Sequence, residues 1–317
     1  MNAFTPVEVN TSFSTVQKNL QLYMDSTSLG ALKKCARYYQ LNIIEGWVSR
    51  DDNIHLVFGA VYHKALETYD HIRAAGGSYD AGVLAAVRAS LLLSWDFIKD
   101  RPLAVFCQDS NKNRETLIRS VVWYLDKFRE DALETVILEN GKPAVELSFR
   151  YKTTYVAPTG EPFFLCGHLD RLARFGDGIW IADRKTTKMT IGEYYFQTFT
   201  PDNQMTGYAL AGKVVYNTPT AGVIIDAAQI AVSFTRFQRG FAPRTDDQLT
   251  EWYEELEFWL VSLAAFARAN RWPMNDKACW GCGFRGICSH DPKVRQIWLR
   301  SGFTKRMWDP LQIRGDI

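Results

Sequence analysis

The segment at residues 166–188, CGHLDRLARFGDGIWIADRKTTK, has the pattern of two apolar-rich strands joined by a short turn. The turn lies at residues 175–178, and its Gly-Asp-Gly sequence is typical of a tight hairpin. The second strand nevertheless ends in Asp183, Arg184 and Lys185. Because unpaired charges are costly to bury, these residues need charged partners, a metal ion or an exit into a cleft. The segment therefore predicts two antiparallel strands with a polar site at one edge.

The flanking segments predict a larger α/β arrangement around this hairpin. Residues 144–156, 162–175 and 178–187 form a meander of three strands, followed by a further strand at 221–237. Helical periodicity is found at residues 26–49, 55–75, 81–100, 111–137, 201–216 and 245–270. The order of elements predicts an α/β fold in one domain, with a helical N-terminal lobe at 1–140, a core at 141–245 and a C-terminal helix and tail at 246–317.

Composition limits the class of protein. The chain has 317 residues, of which 47% are apolar, and this is ample for a large core. The N-terminus lacks the basic and then apolar pattern of a signal peptide, and no apolar run is long enough to span a bilayer. A net charge of +2 excludes a strongly cationic tail but leaves room for a local basic cleft. We therefore expect a cytoplasmic protein without a membrane partner.

Two carboxylates and an amine carry the chemistry of the hairpin. Asp170 lies in GHLDRL on the first strand, and Asp183 and Lys185 lie in IADRKTT on the second. Residues two apart point to the same side of a strand, so Lys185 accompanies Asp183. Hard cations such as Mg²⁺ prefer oxygen ligands, and such a group suits metal-assisted hydrolysis of a phosphodiester. An Asp-x-Lys sequence on its own is more often a surface ion pair.

Four pieces in the same order resemble the PD-(D/E)XK nuclease superfamily, in particular its RecB-like branch. They are VFGAVYHKALE with His63, GHLDRL with Asp170, IADRKTT with Asp183 and Lys185, and QMTGY with Gln204 and Tyr208. The resemblance implies a restriction-endonuclease-like αβββαβ core, with a mixed central sheet flanked by helices. Leu169-Asp170 stands where the family name has Pro-Asp, a variation that this branch tolerates.

The resemblance also implies a role for each matched residue. Asp170, Asp183 and the backbone carbonyl of Arg184 would bind Mg²⁺ or Mn²⁺, while Lys185 would orient the attacking water and stabilise the phosphate. His63 would contact the metal or the phosphate. Gln204 and Tyr208, one helical turn apart, would hold the DNA near the metal. In the first core strand, Glu146 matches a carboxylate often seen there and is an additional candidate ligand.

The cysteines form a second pattern. Cys279, Cys282 and Cys288 have Cys-x2-Cys-x5-Cys spacing, which leaves one coordination position for the distant Cys35. Four thiolates suit Zn²⁺ or an iron–sulfur cluster, and the spacing does not separate them. His290 is an alternate ligand, and the two other cysteines, Cys107 and Cys166, are interpreted as small buried hydrophobic residues.

One cysteine before the core and three after it is the arrangement of iron–sulfur nucleases related to AddB and to the CRISPR-associated RecB-like exonucleases. The resemblance thus implies a [4Fe–4S] cluster, with Zn²⁺ as the alternative, in a DNA exonuclease of recombination, repair or phage DNA processing. Its substrate would be DNA that is single-stranded or has a free end. No Gly-x4-Gly-Lys-Ser/Thr motif is present, so a helicase or recombination protein is a candidate partner. The alternatives are a non-catalytic DNA-end-binding subunit and a zinc-stabilised endonuclease.

Overall fold

The hairpin is present in the computed structural model, which describes residues 12–312. Its strands span Pro162–Phe175 and Gly178–Thr187, and they pair in antiparallel fashion with Arg171 opposite Ala182. The strands in chain order are β1 (Tyr23–Met24), β2 (Trp47–Ser49), β3 (Trp95–Asp96), β4 (Arg101–Pro102), β5 (Glu134–Thr135), β6 (Val145–Val156), β7 (Pro162–Phe175), β8 (Gly178–Thr187), β9 (Thr220–Ile230), β10 (Thr235–Pro243) and β11 (Phe303–Lys305).

Ten α-helices accompany these strands within residues 12–312. They are α1 (Ser26–Lys34), α2 (Ala36–Tyr39), α3 (Ile54–Ala74), α4 (Tyr79–Leu93), α5 (Arg114–Lys127), α6 (Glu193–Gln197), α7 (Asn203–Val214), α8 (Asp246–Ala269), α9 (Arg285–Ser289) and α10 (Arg295–Gly302). A π-helix at Gln40–Ile44 follows α2, and short 3₁₀ helices lie at Ala104–Cys107 and Asp276–Cys279. In this part of the chain, no helix is both long enough and apolar enough to cross a membrane.

The chain divides into two units, each built from separate stretches of sequence. The larger unit contains residues 51–149 and 168–252, and the smaller contains 12–50, 150–167 and 253–312 of the described chain. Cys35 and His63, placed together in the predicted N-terminal lobe, therefore belong to different units. The single domain with its three parts stays a prediction.

The central sheet of the larger unit is mixed, as predicted. Strand β8 pairs antiparallel with β7 on one side and parallel with β9 on the other, and β10 continues antiparallel to β9. Helices α6 and α7 lie in the connection from β8 to β9, and a helical crossover of this kind is what parallel neighbours require. The β6-β7-β8-α7-β9 order matches the βββαβ part of the expected core.

Helix α3 shows why these helices pack on the sheet. Its buried residues Phe58, Val61, Tyr62, Ala65 and Leu66 recur at intervals of three and four, so they form one apolar stripe. The stripe packs in a core with side chains of α4, α5 and β9. Full burial of a large apolar side chain contributes roughly 1.5–3 kcal/mol. Only this face of α3 packs in the core, so the other face of the helix can carry polar side chains toward a site.

The smaller unit has its own core and a two-stranded sheet, in which β2 and β11 pair antiparallel. Strand β1 pairs in parallel with Phe164 and Leu165 of β7 and belongs to the same sheet as β7 and β8. A cluster of buried side chains joins α9 and α10 to the segment before β2; its members are Leu41, Trp47, Phe284, Ile287 and Leu299. Cys282 and Cys288 pack against this cluster.

Several predicted elements were wrong in extent. The helix at 26–49 is interrupted at Cys35, which has an extended backbone, and its last residues form β2. The helix at 81–100 ends at Leu93. The helix at 111–137 begins only after Asn113, whose side chain and that of Thr116 form a capping box, and it ends at Lys127. The strand at 221–237 is two strands, because the N–H of Ala231 donates to the carbonyl of Phe234 and closes a turn between them.

Candidate active site

Four elements of the larger unit supply the predicted catalytic residues. Asp170 lies on β7, Asp183 and Lys185 on β8, and His63 on α3, while Gln204 and Tyr208 lie on α7. Strand alternation places Asp183 and Lys185 on one face of the sheet. The structure therefore brings sequence-distant residues to one face.

The contacts at Asp170 join α3 to both strands. Nδ1 of His63 lies 3.2 Å from Oδ2 of Asp170, and the backbone N–H of Arg184 donates to the same oxygen at 2.9 Å. Asp170 is thus held by a helix and by the neighbouring strand.

The contacts at Lys185 extend the group to α7. Nζ of Lys185 lies 2.6 Å from Oδ2 of Asp183 and donates to Oε1 of Gln204 at 3.0 Å. Nε2 of Gln204 in turn donates to the hydroxyl of Tyr208 at 3.0 Å. These contacts make a continuous path from the strand carboxylate to the helix side chains that were predicted to bind DNA.

The surroundings push the pKa values of the two carboxyl groups apart. Burial raises the pKa of Asp183; the Lys185 ammonium opposes this rise and the Asp170 carboxylate adds to it. Burial also acts to raise the pKa of Asp170, but His63, Lys185 and the Arg184 N–H outweigh it and hold that pKa well below its usual range. The carboxylates in turn raise the pKa of Lys185 against the effect of burial, so its ammonium stays charged. Carboxyl groups with separated pKa values are typical of functional sites.

The donor set fits a hard divalent cation. Asp183 is only 2% exposed, and its Oδ2 is buried without a partner in hydrogen-bond geometry, although the Lys185 ammonium is close. Two carboxylates and an imidazole are suitable ligands for Mg²⁺ or Mn²⁺. Within residues 12–312, no group of three or more His, Cys, Asp or Glu side chains has the arrangement of a metal site.

Arg184 explains why a buried strand can end in three charges. Its side chain is 5% exposed, and Nη2 donates to Oδ2 of Asp70 on α3 at 2.7 Å. Arg171, one residue after Asp170, donates through Nη1 to Oδ1 of the same carboxylate at 3.2 Å. This network was not predicted from the sequence. Strand alternation could have placed the two arginines on the opposite face of the sheet, because each directly follows a site carboxylate. No local pattern identified Asp70 as their partner.

Lys112 is a second residue that sequence reasoning missed. It is 2% exposed, and Nζ donates to Oγ1 and the carbonyl of Thr186 at 3.1 and 3.3 Å. The ammonium also lies 5.2 Å from the centre of the Phe58 ring. Burial lowers the pKa of Lys112 to about 8, although Asp109 opposes this effect. Lys112 therefore ties the segment before α5 to the strand residue next to Lys185.

Glu146 and the Arg184 carbonyl stay predicted ligands. Glu146 is half-buried at the second position of β6, and its φ of 49° lies in the left-handed region that few non-glycine residues adopt. Such a backbone is found often at functional sites, and it re-aims the side chain relative to a regular strand.

The four predicted cysteine ligands line one pocket of the smaller unit. Cys35, Cys279, Cys282 and Cys288 share this pocket with the apolar or aromatic side chains of Tyr38, Met274 and Phe284. Burial raises the pKa of Cys288, and the nearby Cys282 and Cys35 add to the rise while Arg37 opposes it. Thiols are the donors that Zn²⁺ and iron–sulfur clusters take, so the chemistry of this pocket suits either centre.

Backbone contacts hold the two parts of the cysteine pocket together. The N–H of Asn275 donates to Sγ of Cys35 at 3.3 Å, and its Nδ2 donates to the carbonyl of Lys34 at 2.9 Å. The N–H of Arg37 donates to the carbonyl of Pro273 at 3.1 Å. N–H donors to sulfur stabilise a thiolate, as a metal ligand requires.

The remaining predicted ligand and cysteines lie elsewhere. His290 stacks on Trp298 at 4.4 Å between ring centres and does not line the cysteine pocket. Cys166 is buried, and burial raises the pKa of its thiol, as expected for a small core residue. Cys107 is exposed, so its interpretation as a buried residue was wrong; it ends a short 3₁₀ helix at the surface.

This chain is similar to a known protein family and to solved structures. Residues 26–289 match the family described as the PD-(D/E)XK nuclease superfamily. A crystal structure titled "putative exonuclease", from Eubacterium rectale, is similar with a TM-score of 0.47 and 11% identity over 93% of this chain and 94% of that one. The crystal structure of SSO0001 has a TM-score of 0.27 and 14% identity over 56% of this chain and 76% of that one. No curated protein matches significantly.

Proposed function

The chain belongs to the PD-(D/E)XK nuclease superfamily, and we propose that it is a metal-dependent DNA exonuclease of the RecB-like, iron–sulfur branch. One observation carries this proposal: Asp170, Asp183, Lys185 and His63 are brought together from three elements on the core that the family shares. A structural ion pair would require only Asp183 and Lys185. The additional carboxylate and imidazole are what a hydrolytic cation site requires.

The protein's own residues divide the work of hydrolysis. Asp170 and Asp183 would hold Mg²⁺ or Mn²⁺, with His63 beside them; the cation, when bound, polarises the phosphodiester and lowers the pKa of a water. Lys185, charged and held between Asp183 and Gln204, would orient that water and hydrogen-bond a phosphate oxygen. Gln204 and Tyr208, which hydrogen-bond to each other on α7 beside Lys185, would contact the DNA backbone near the cation.

The cysteine pocket supports a structural cluster in the same protein. Cys35, Cys279, Cys282 and Cys288 would hold a [4Fe–4S] cluster, with Zn²⁺ as the alternative for the same four thiols. The cluster would link α2 to the segment after Pro273, which the Asn275 and Arg37 hydrogen bonds already join. Its contribution would be to the fold of the smaller unit, not to the reaction.

We assign the enzyme to recombination, repair or phage DNA processing in the cytoplasm. DNA that is single-stranded or has a free end would be its substrate. Since the sequence has no nucleotide-binding Gly-x4-Gly-Lys-Ser/Thr motif, strand separation would come from a helicase or recombination partner.

A digest of linear and circular DNA of the same sequence tests this function. With Mg²⁺ or Mn²⁺, the linear form should be degraded to short products while the circular form stays intact, and a chelator should stop the reaction. Cleavage of the circle would indicate the zinc-stabilised endonuclease. Retention of linear DNA without cleavage in any metal would indicate the DNA-end-binding subunit.

A further inference from the structure

A second polar pocket lies behind the catalytic strands. It has a volume of about 300 Å³, and four arginines line it: Arg73, Arg129, Arg171 and Arg184. Arg171 and Arg184 are the residues that follow Asp170 and Asp183, so strand alternation directs them to the opposite face of the sheet. All the lining residues belong to the larger unit. The pocket is therefore separate from the carboxylate site but is built on the same strands.

Arg171 lacks partners for two of its donors. Its side chain is 6% exposed, and Nη1 is bonded to Asp70, but Nε and Nη2 are buried without a hydrogen bond. The nearest carboxylate of Asp131 is 4.0 Å from Nη2, which is too far for a hydrogen bond. Buried guanidinium donors are costly to leave unsatisfied. A ligand with acceptor oxygens would satisfy both, because Nε and Nη2 form one edge of the planar fork.

The charges and walls of the pocket define the class of ligand. Four arginines face three carboxylates, those of Asp70, Asp131 and Glu134, which leaves an excess of one positive charge. Aromatic rings of Tyr69, Tyr124 and Phe128 form part of the wall. A volume of about 300 Å³ is at the lower limit of small-molecule sites, typically 300–1,000 Å³. An oxyanion on the arginine edge with a flat ring against the aromatic wall would use all three features.

From these features we infer that the pocket binds a terminal phosphate group, supplied either as inorganic phosphate or as the monoester group of a mononucleotide. The phosphate oxygens accept from Nε and Nη2 of Arg171, and the rim Arg129 completes the charge. A nucleobase, where present, lies against the aromatic wall. This site does not depend on the proposed nuclease activity, because none of the side chains assigned to that reaction lines it.

The test is calorimetric binding of inorganic phosphate and of dAMP to the full chain in chelator, which removes cation-dependent binding at the carboxylate site. Both probes should bind, and Lys185→Ala should bind them as the wild type does. Tighter binding of dAMP identifies a mononucleotide as the occupant, and equal binding identifies inorganic phosphate. If neither inorganic phosphate nor dAMP binds, the inference is overturned, because water would then satisfy the Arg171 donors.

Two substitutions locate the binding. Arg171→Lys keeps a charge beside Asp70 but removes the Nε–Nη2 edge, so binding should weaken about tenfold, or about 1.4 kcal/mol. Arg129→Gln changes an exposed rim residue whose guanidinium contacts Asp126 and the Tyr79 ring, and it should weaken binding severalfold. Arg236→Lys, on the exposed side of β10, is the matched control and should bind normally. Wild-type binding by both Arg171→Lys and Arg129→Gln would place the ligand elsewhere and contradict the assignment.

Discussion

Asp170 and Asp183 face one site, but their surroundings shift the two pKa values in opposite directions. The folded-state pKa of Asp183 is raised, so the stability from this group is present below the ordinary value of 3.8 and is lost as the pH rises through the raised value. The folded-state pKa of Asp170 is lowered, so its contribution is present above 3.8 and is lost as the pH falls through the depressed value.

Asparagine substitutions should therefore have opposite effects in metal-free protein. At pH 7 in chelator, we expect Asp183→Asn to raise the melting temperature and Asp170→Asn to lower it, at roughly 2–4 °C for each kcal/mol. The gain for Asp183→Asn should shrink as the pH falls toward 4, whereas the loss for Asp170→Asn should persist to about pH 4. Thermal unfolding from pH 4 to 7 measures both. Shifts of the same sign in the two variants would show that the electrostatic account is wrong.

His63 should affect cation use more than folding. Its imidazole contacts Asp170 at the surface of α3, so His63→Ala should reduce DNA hydrolysis by about 10–100-fold and raise the Mn²⁺ concentration needed for half-maximal rate. His71→Ala, an exposed histidine two turns later on α3, is the matched control. If His63→Ala has the same Mn²⁺ titration as the wild type, His63 has no role in cation binding and is an ordinary residue of the helix surface.

At single residues, the sequence predicted the side chains that a local motif carries. Asp183 and Lys185 lie two apart on one strand, and their proximity followed from strand geometry alone. The partners of Arg184 and Lys112 could not be predicted in the same way, because Asp70 and Thr186 are distant in sequence from them. Which buried charges pair depends on the packing of α3 against the sheet, and no short pattern encodes that packing.

Among the elements, the strands with clear turn signals were predicted to the residue. Gly-Asp-Gly fixed the ends of β7 and β8, and regular periodicity predicted α3 and α8. The turn between β9 and β10 has no glycine or proline, and the sequence stays largely apolar through it. The turn was therefore missed, and the two strands were predicted as one. Helix ends set by capping side chains were missed for a similar reason, since a cap is one residue within a continuous pattern.

Lys112 provides a test of how the segment before α5 is held on β8. Its pKa is lowered to about 8 from 10.5, so the unfolded chain binds more protons between these values and the stability from this group rises with pH across that window. Lys112→Met should be more stable than wild type at pH 7, with a gap that narrows between pH 8 and 10.5. Chemical denaturation across this range measures the gap. Lys127→Met, exposed at the end of α5, should leave the pH profile unchanged, and a constant gap for Lys112→Met would contradict the burial argument.

For the molecule as a whole, the cysteine pocket predicts a metal centre that joins distant parts of the chain. Protein purified without oxygen should be brown, with absorption near ~400 nm and about four irons per chain. Cys279→Ser should bleach this colour and lower the melting temperature, because the pocket closes a loop between residues 35 and 288. Absorption and metal analysis measure both effects.

Cys107→Ser is the matched control, since Cys107 is exposed and lies outside the pocket. It should keep the colour and the iron. If the wild-type protein is colourless and carries one tightly bound zinc, the four cysteines bind Zn²⁺ and not an iron–sulfur cluster. The assignment of the carboxylate site would not change.

The measurement closest to the central claim is the rate at which purified variants hydrolyse end-labelled linear DNA in Mg²⁺. We predict that Asp183→Ala and Lys185→Ala each lose at least about 10²–10³-fold in rate while staying folded, because they remove a cation ligand and the charge that orients the water. Asp177→Ala, in the exposed turn of the same hairpin, should retain the wild-type rate. Wild-type hydrolysis by folded Asp183→Ala or Lys185→Ala would contradict the assignment of this site.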